Sequence, residues 1–148
     1  MIKLIGEDAT LEFAAKLASV CQPSLIIHLQ GDLGSGKTTF ARGFIKRLGH
    51  SGNVKSPTFT LVEPYELERM HLYHFDLYRL NDPQELEYLG IRDLFGEQGV
   101  ICLIEWPERG GDELPSPDIE IQFQYQDDAR GVDLQAKSTK GQSIIDKL

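Results

Sequence analysis

No run of apolar residues in this 148-residue chain approaches the roughly 20 needed to cross a bilayer as a helix, so no membrane association is expected. The opening stretch, residues 1–6, is too short for the apolar core of a signal peptide and runs straight into Glu7 and Asp8, so a cytoplasmic location is expected. Cysteine is scarce. Cys21 and Cys102 lack metal-ligand or redox spacing, which excludes a disulfide framework and leaves two small buried hydrophobes. Positive charge is scarce too: 15 Lys and Arg face 23 Asp and Glu, for a net charge of −8. Affinity for a nucleic-acid backbone comes mostly from Lys and Arg releasing counterions, so broad contact with RNA is disfavoured and proteins are the expected direct partners. The deficit is uneven. Residues 1–58 carry 7 basic against 4 acidic side chains, whereas residues 59–148 carry 8 against 19. Repeats and low-complexity tracts are also missing. What remains, at 41% hydrophobic residues, is enough to bury a core, and residues 1–148 read as one domain.

The most informative segment lies at the basic end. Residues 31–38 read Gly-Asp-Leu-Gly-Ser-Gly-Lys-Thr, a complete G-x-x-x-x-G-K-T phosphate-binding loop. It directly follows the apolar run 25–29 and directly precedes a helical pattern. A triphosphate needs many backbone N–H donors converging on one anion, a nearby cation, and no side chains in the way. Gly31, Gly34 and Gly36 supply permissive backbone around Ser35. Lys37 is placed to reach the β- and γ-phosphates, Thr38 to ligate the Mg²⁺ that bridges them, and Thr39 adds a second hydroxyl. A nucleoside triphosphate with Mg²⁺ is therefore the expected ligand.

The surrounding pattern reads as α/β. Asp8 is expected to cap a helix that runs to about Val20, and Pro23 then forces extended chain into a strand over 25–30. A second helix follows the phosphate loop and stops at Gly49. Phe59, Leu61 and Val62 begin a hairpin whose second arm is 72–78, with a polar turn near Glu66 to Met70. Asp82 opens a helix with Pro83 at its first position, burying Leu86, Leu89 and Ile91. Residues 100–104 form a continuous apolar run, as a strand buried on both faces requires. Ile119, Ile121, Phe123 and Tyr125 alternate, as do Val132, Leu134 and Ala136, which predicts a late antiparallel pair with one solvated face before a short terminal helix. The whole is a mixed sheet flanked by helices, with ligands expected at the carboxyl ends of the strands.

Glu105 ends the buried strand, where an acidic residue holds Mg²⁺ or orients water; the bland alternative is a solvated side chain. Trp106 beside it either covers the pocket or closes the core. Asp76, flanked by His74, Phe75, Leu77 and Tyr78, is either a second carboxylate of the site or a structural partner of Arg79 or His74. Arg79 reads as an arginine finger or as a surface ion pair. Ser56, Pro57, Thr58 and Thr60, within the segment 55–60, read as a γ-phosphate-sensing switch or as an ordinary turn. His71 and His74 have no companion cysteine cluster, and zinc is not expected.

Taken together, residues 31–39, 53–63, 74–80, 90–93 and 104–106 resemble the bacterial TsaE family, formerly YjeE, in order and over nearly the whole chain. The resemblance implies a P-loop ATPase required for the threonylcarbamoyladenosine modification of tRNAs that read codons beginning with A. Such a protein does not perform the transfer. It acts on the complex of the TsaD and TsaB proteins by Mg-dependent ATP hydrolysis, touching tRNA only indirectly. On that pattern Lys37 and the loop from Gly34 to Thr39 hold phosphates, Thr38 and Glu105 hold Mg²⁺, Asp76 supports hydrolysis, and Trp106 lies beside the reacting centre. Glu7 and Arg130 lie near the adenosine. The alternatives are a small P-loop kinase, against which the lack of an Arg-rich lid segment speaks, and a nucleotide-gated binding module. A guanine-reading N-K-x-D pattern is missing.

Overall fold

The computed structural model describes residues 2–126 and 128–148. Its elements in chain order are β1 (Ile2–Ile5), α1 (Gly6–Val20), β2 (Leu25–Gly31), α2 (Lys37–Arg47), β3 (Val62–Glu66), β4 (His71–Asp76), α3 (Gln84–Tyr88), α4 (Ile91–Gly96), β5 (Val100–Glu105), β6 (Ile119–Gln126), β7 (Ala129–Ala136) and α5 (Thr139–Asp146). Two short 3₁₀ turns, Pro107–Arg109 and Gly111–Glu113, follow β5.

The seven strands form one mixed sheet in the order β1-β7-β6-β2-β5-β4-β3. The centre, β6-β2-β5-β4, is parallel throughout. Both ends are antiparallel, β3 against β4 and β7 against β6 with β1 beyond it. Every residue of β5 is buried, as its unbroken apolar run requires of a strand covered on both faces. Pro64 lies in β3, an edge strand, where a missing N–H costs no ladder bond.

Two cores flank the sheet. On one face Leu25, Ile27, Leu29, Ile119, Ile121 and Phe123 pack against Phe13, Ala14 and Leu17 of α1, Phe40 and Phe44 of α2, and Ile144 of α5. The Phe40 ring lies 5.9 Å from those of Phe13 and Phe44 and 5.6 Å from that of Phe123. A buried phenylalanine so placed is worth about 3–5 kcal/mol over alanine. The other core is smaller, gathering Phe75, Leu77, Leu86, Ile91, Cys102 and Ile104 beneath α3 and α4. Cys21 and Cys102 are free and buried, and burial pushes each thiol up to about 12, so both stay neutral.

Four expectations are corrected. Asp8 does not cap α1: β1 turns into the helix at Gly6, no side chain caps it, and Glu7 and Asp8 instead sit in the first turn, where the helix dipole favours them. Phe59 and Leu61 are not strand residues. The chain folds back there, with the Leu61 amide donating to the Pro57 carbonyl at 2.8 Å, and β3 begins at Val62. Leu89 is 49% exposed because α3 ends at Tyr88 and Gly90 turns the chain into α4, so only Leu86 and Ile91 reach the core. Tyr125 continues the apolar alternation of β6 yet is 52% exposed, because it lies beyond the last paired residue of β2.

Candidate functional site

The carboxyl ends of β2, β5 and β4 lie side by side, since in register Leu29 is opposite Glu105 and Glu105 is opposite Asp76. A cavity of about 380 Å³ opens over these ends. Parallel strands leave their terminal groups at one edge, where the chain must turn away. From β2 it turns through residues 31–36 into α2, so the amides of the loop and of the first helical turn are without intrahelical partners. Gly31 is required at the start. Its φ is +146°, and a Cβ there would lie 2.6 Å from the Phe123 carbonyl oxygen and 2.7 Å from Ser35 Oγ.

Most of the site residues expected from sequence converge. Glu7, Gly34, Gly36, Lys37, Thr38, Thr39, Thr58, Asp76, Glu105, Trp106 and Arg130 all line the one cavity. Ser35 lies buried in the loop. Lys37 is itself buried; its ammonium donates to the Gly31 carbonyl and stands 3.7 Å from the centroid of the Trp106 ring. Burial pulls its pKa below the ordinary lysine range, opposed by the negative charges of Glu105, Glu108, Asp76 and Asp32.

The Thr38 hydroxyl donates to Glu105 Oε1 at 3.1 Å, joining α2 to β5. The other carboxylate oxygen, Oε2, lies 2.6 Å from His74 Nε2, with both side chains out of solvent. Among the described residues, His74 Nδ1 is buried without a hydrogen-bond partner. The carboxylate is therefore clamped between a hydroxyl and a ring N–H. Asp76 is held separately: its Oδ1 accepts from the Tyr78 amide at 3.0 Å and its Oδ2 from the Thr58 hydroxyl at 3.2 Å. Burial first, and Glu105 next, raise its pKa above the usual carboxylate value, partly offset by those two donors and by His74.

The structural alternatives for Asp76 are thus not realised as expected. His74 goes to Glu105, and Arg79 places its guanidinium 4.3 Å from the exposed Phe59 ring. Arg79 does not line the cavity, nor do Ser56, Pro57 and Thr60; Ser56 reaches it only through Thr58, hydroxyl to hydroxyl at 2.8 Å. Glu7 pairs with Arg42 at the cavity's edge. Trp106 takes a left-handed backbone, φ 57°, which turns the chain sharply after Glu105 and holds its ring over Lys37. Thr10, Asp128 and Ala129 also line the cavity and were not singled out, because nothing in their local sequence departs from an ordinary helix or hairpin.

Chemically the arrangement suits a polyphosphate with a hard cation. The cradle offers main-chain donors and an ammonium, and the oxygen donors beside Lys37 include the Thr38 hydroxyl and the Glu105 and Asp76 carboxylates. That small share is what Mg²⁺ takes from protein when phosphates and waters complete its shell.

Comparison with known proteins gives the family. Residues 4–132 match the family model described as threonylcarbamoyl adenosine biosynthesis protein TsaE. The chain is similar to the tRNA threonylcarbamoyladenosine biosynthesis protein TsaE of Haemophilus influenzae, 49% identical over 144 residues, covering 94% of this chain and 90% of the relative. Its likeness to the protein of the same name from Bacillus subtilis is 35% over 147 residues, covering 99% and 91%. Among solved structures, that of Bacillus subtilis YdiB superposes with a TM-score of 0.84 at 31% identity, covering 99% of this chain and 90% of that one.

Proposed function

This chain belongs to the TsaE family, proteins of tRNA threonylcarbamoyladenosine biosynthesis, and from that premise we propose that it is a Mg-dependent ATPase serving the modification machinery. The observation that carries the reading is the convergence of Lys37, the Thr38–Glu105 hydrogen bond and Asp76 on one cavity at the phosphate loop. The loop from Gly34 to Thr39, through its amides other than that of Ser35, and the Lys37 ammonium hold the phosphates of ATP. Thr38 and Glu105 would hold Mg²⁺, which when bound neutralises charge on the β- and γ-phosphates. Asp76, with a pKa raised by burial and by Glu105, orients the attacking water and accepts its hydrogen bond. Water then attacks the γ-phosphorus in line, the bond to the ADP oxygen breaks, and ADP and phosphate leave. Thr58 and its segment, anchored on Asp76, are the part that senses whether the γ-phosphate is present. Glu7 and Arg130, which line the same cavity, would lie near the adenosine.

The expected partners are TsaD and TsaB in the cytoplasm, with tRNA reached through them, in keeping with a net charge of −8. Hydrolysis by the isolated chain is slow on this reading, because positioning is incomplete without the partner. The test is ATP turnover of purified protein with and without TsaD and TsaB. Stimulation by the pair that vanishes in Lys37→Ala and Glu105→Ala is expected; turnover unchanged in both variants overturns the assignment.

A further inference from the structure

The β6–β7 hairpin contributes more than two strands to the sheet. Pairing of β2 with β6 ends at Gly31 opposite Phe123, but β6 runs on to Gln126. Side chains two apart in a strand share a face, so Tyr125 lies on the same face as Ile121 and Phe123. Those two are buried among the helices. Two residues further on β2 has gone, and what lies alongside is the phosphate loop. The Tyr125 hydroxyl stands 2.6 Å from the Gly34 carbonyl oxygen and 3.3 Å from that of Leu33. Arg130 is the residue directly opposite Tyr125 across the hairpin. Its guanidinium lies 4.3 Å from the centroid of the tyrosine ring, and its Nη2 donates to the same Gly34 carbonyl at 3.3 Å.

We propose that Tyr125 is a positioning residue for the phosphate loop, its hydroxyl holding the crest carbonyls back so that the loop is already shaped for an anion before nucleotide arrives. The proposal rests on the reading of that loop as the nucleotide site. Leu33, Gly34 and Arg130 line the cavity and Tyr125 does not, so the tyrosine acts from behind the loop, through main chain.

Peptide planarity makes such a contact count twice. The carbonyl of Gly34 and the amide of Ser35 belong to one rigid plane and point opposite ways. Tyr125 and Arg130 take the carbonyl end, while the Ser35 amide donates to the Asp32 carbonyl at 3.1 Å, so the plane is held at both ends. A carbonyl free to swing toward the cavity would present negative charge to a phosphate; one tied to the Tyr125 hydroxyl and neutralised by the Arg130 guanidinium does not. The same contact explains why position 34 is glycine. Its φ is +76°, and a Cβ there would sit 2.6 Å from the tyrosine oxygen, so any larger residue would displace the clamp.

The experiment compares wild-type protein with Tyr125→Phe, which keeps the ring beneath Arg130 and removes only the hydroxyl, and with Tyr125→Leu, which removes both. MgADP and MgATP affinities are measured by calorimetry, turnover is measured at saturating MgATP, and melting of the nucleotide-free protein is followed in parallel. The half-exposed position makes both variants foldable. Losing one hydrogen bond to a partly exposed carbonyl should weaken both nucleotides by about three- to tenfold in Tyr125→Phe. The KM for MgATP should rise in step, kcat should stay within about twofold, and nucleotide-free stability should fall by less than the affinity does, because water replaces the hydroxyl at the exposed Gly34 carbonyl. Tyr125→Leu should be affected at least as much. Wild-type affinity in Tyr125→Phe overturns the clamp, as does a loss of affinity matched by an equal loss of nucleotide-free stability, which would mark a merely structural contact. A wild-type chain that binds neither nucleotide defeats the reading beneath it instead, and the two failures are told apart by that arm alone.

Discussion

One wall of the cavity is main chain. Residues 31–36 bridge β2 and α2, both packed in the larger core, with Tyr125 behind the loop. The facing wall is side chains. Thr58 from an irregular segment, Asp76 at the end of β4 and Glu105 at the end of β5 are held by hydrogen bonds that span 18, 31 and 67 residues of chain, with Trp106 just beyond. The first wall is made by a local run of sequence and depends on few distant partners. The second has no local identity and exists only where three strands end together. The difference implies a division of labour in which the main-chain wall governs how tightly nucleotide is held and the side-chain wall governs how fast it is hydrolysed.

The sharpest way to break that division is Asp76→Asn. Partner-stimulated turnover should fall by about a hundredfold or more, while calorimetric MgATP affinity stays within about threefold; an affinity collapse with modest rate loss would reverse the walls. Next comes Lys37→Ala, which removes the one cation of the main-chain wall. MgATP affinity should drop by about a hundredfold, by titration of the purified variant, since a charge-assisted contact in a shielded site is lost. Thr58→Val is gentler. It deletes the hydroxyl on Asp76 and should slow turnover by about three- to tenfold with nucleotide affinity unchanged, measured under single-turnover conditions.

The smallest effect concerns the footing of the main-chain wall. His28 lies within β2, 8% exposed, with Nε2 unpartnered among the described residues, and burial holds its pKa below the ordinary 6.5 despite an opposing pull from Glu120. A depressed histidine stays neutral in the fold while the unfolded chain takes up a proton, so stability is whole above the ordinary value and is lost as pH falls through the folded one. The melting temperature of wild-type protein should therefore fall more steeply from about pH 7 to about pH 5 than that of His28→Gln. Parallel slopes would show that this histidine does not weaken the strand under acid.

Much of this was legible beforehand, for reasons visible in individual residues. The phosphate loop declares itself because its glycines, lysine and threonine are contiguous and their spacing follows from the shape of the anion. The buried character of β5 is written in an unbroken apolar run. Asp76 was harder. Its neighbours offered His74 and Arg79 as partners, and neither is its hydrogen-bond partner; it is held by a hydroxyl 18 residues away and by a nearby amide. Tyr125 was misread because alternation reports which face of a strand a residue occupies, not what stands opposite it.

From the sequence alone came the anion cradle, the α/β order and the family, because each rests on short-range spacing set by backbone geometry and chain stiffness. The fold decided which oxygen meets which. The pairing of Glu105 with Thr38 and His74, the holding of Asp76 by Thr58, and the seating of Tyr125 behind Gly34 all follow from strand register and from where one strand outruns its neighbour. Register is set by the packing of whole faces against the cores, a property of many residues together, and no local window carries it.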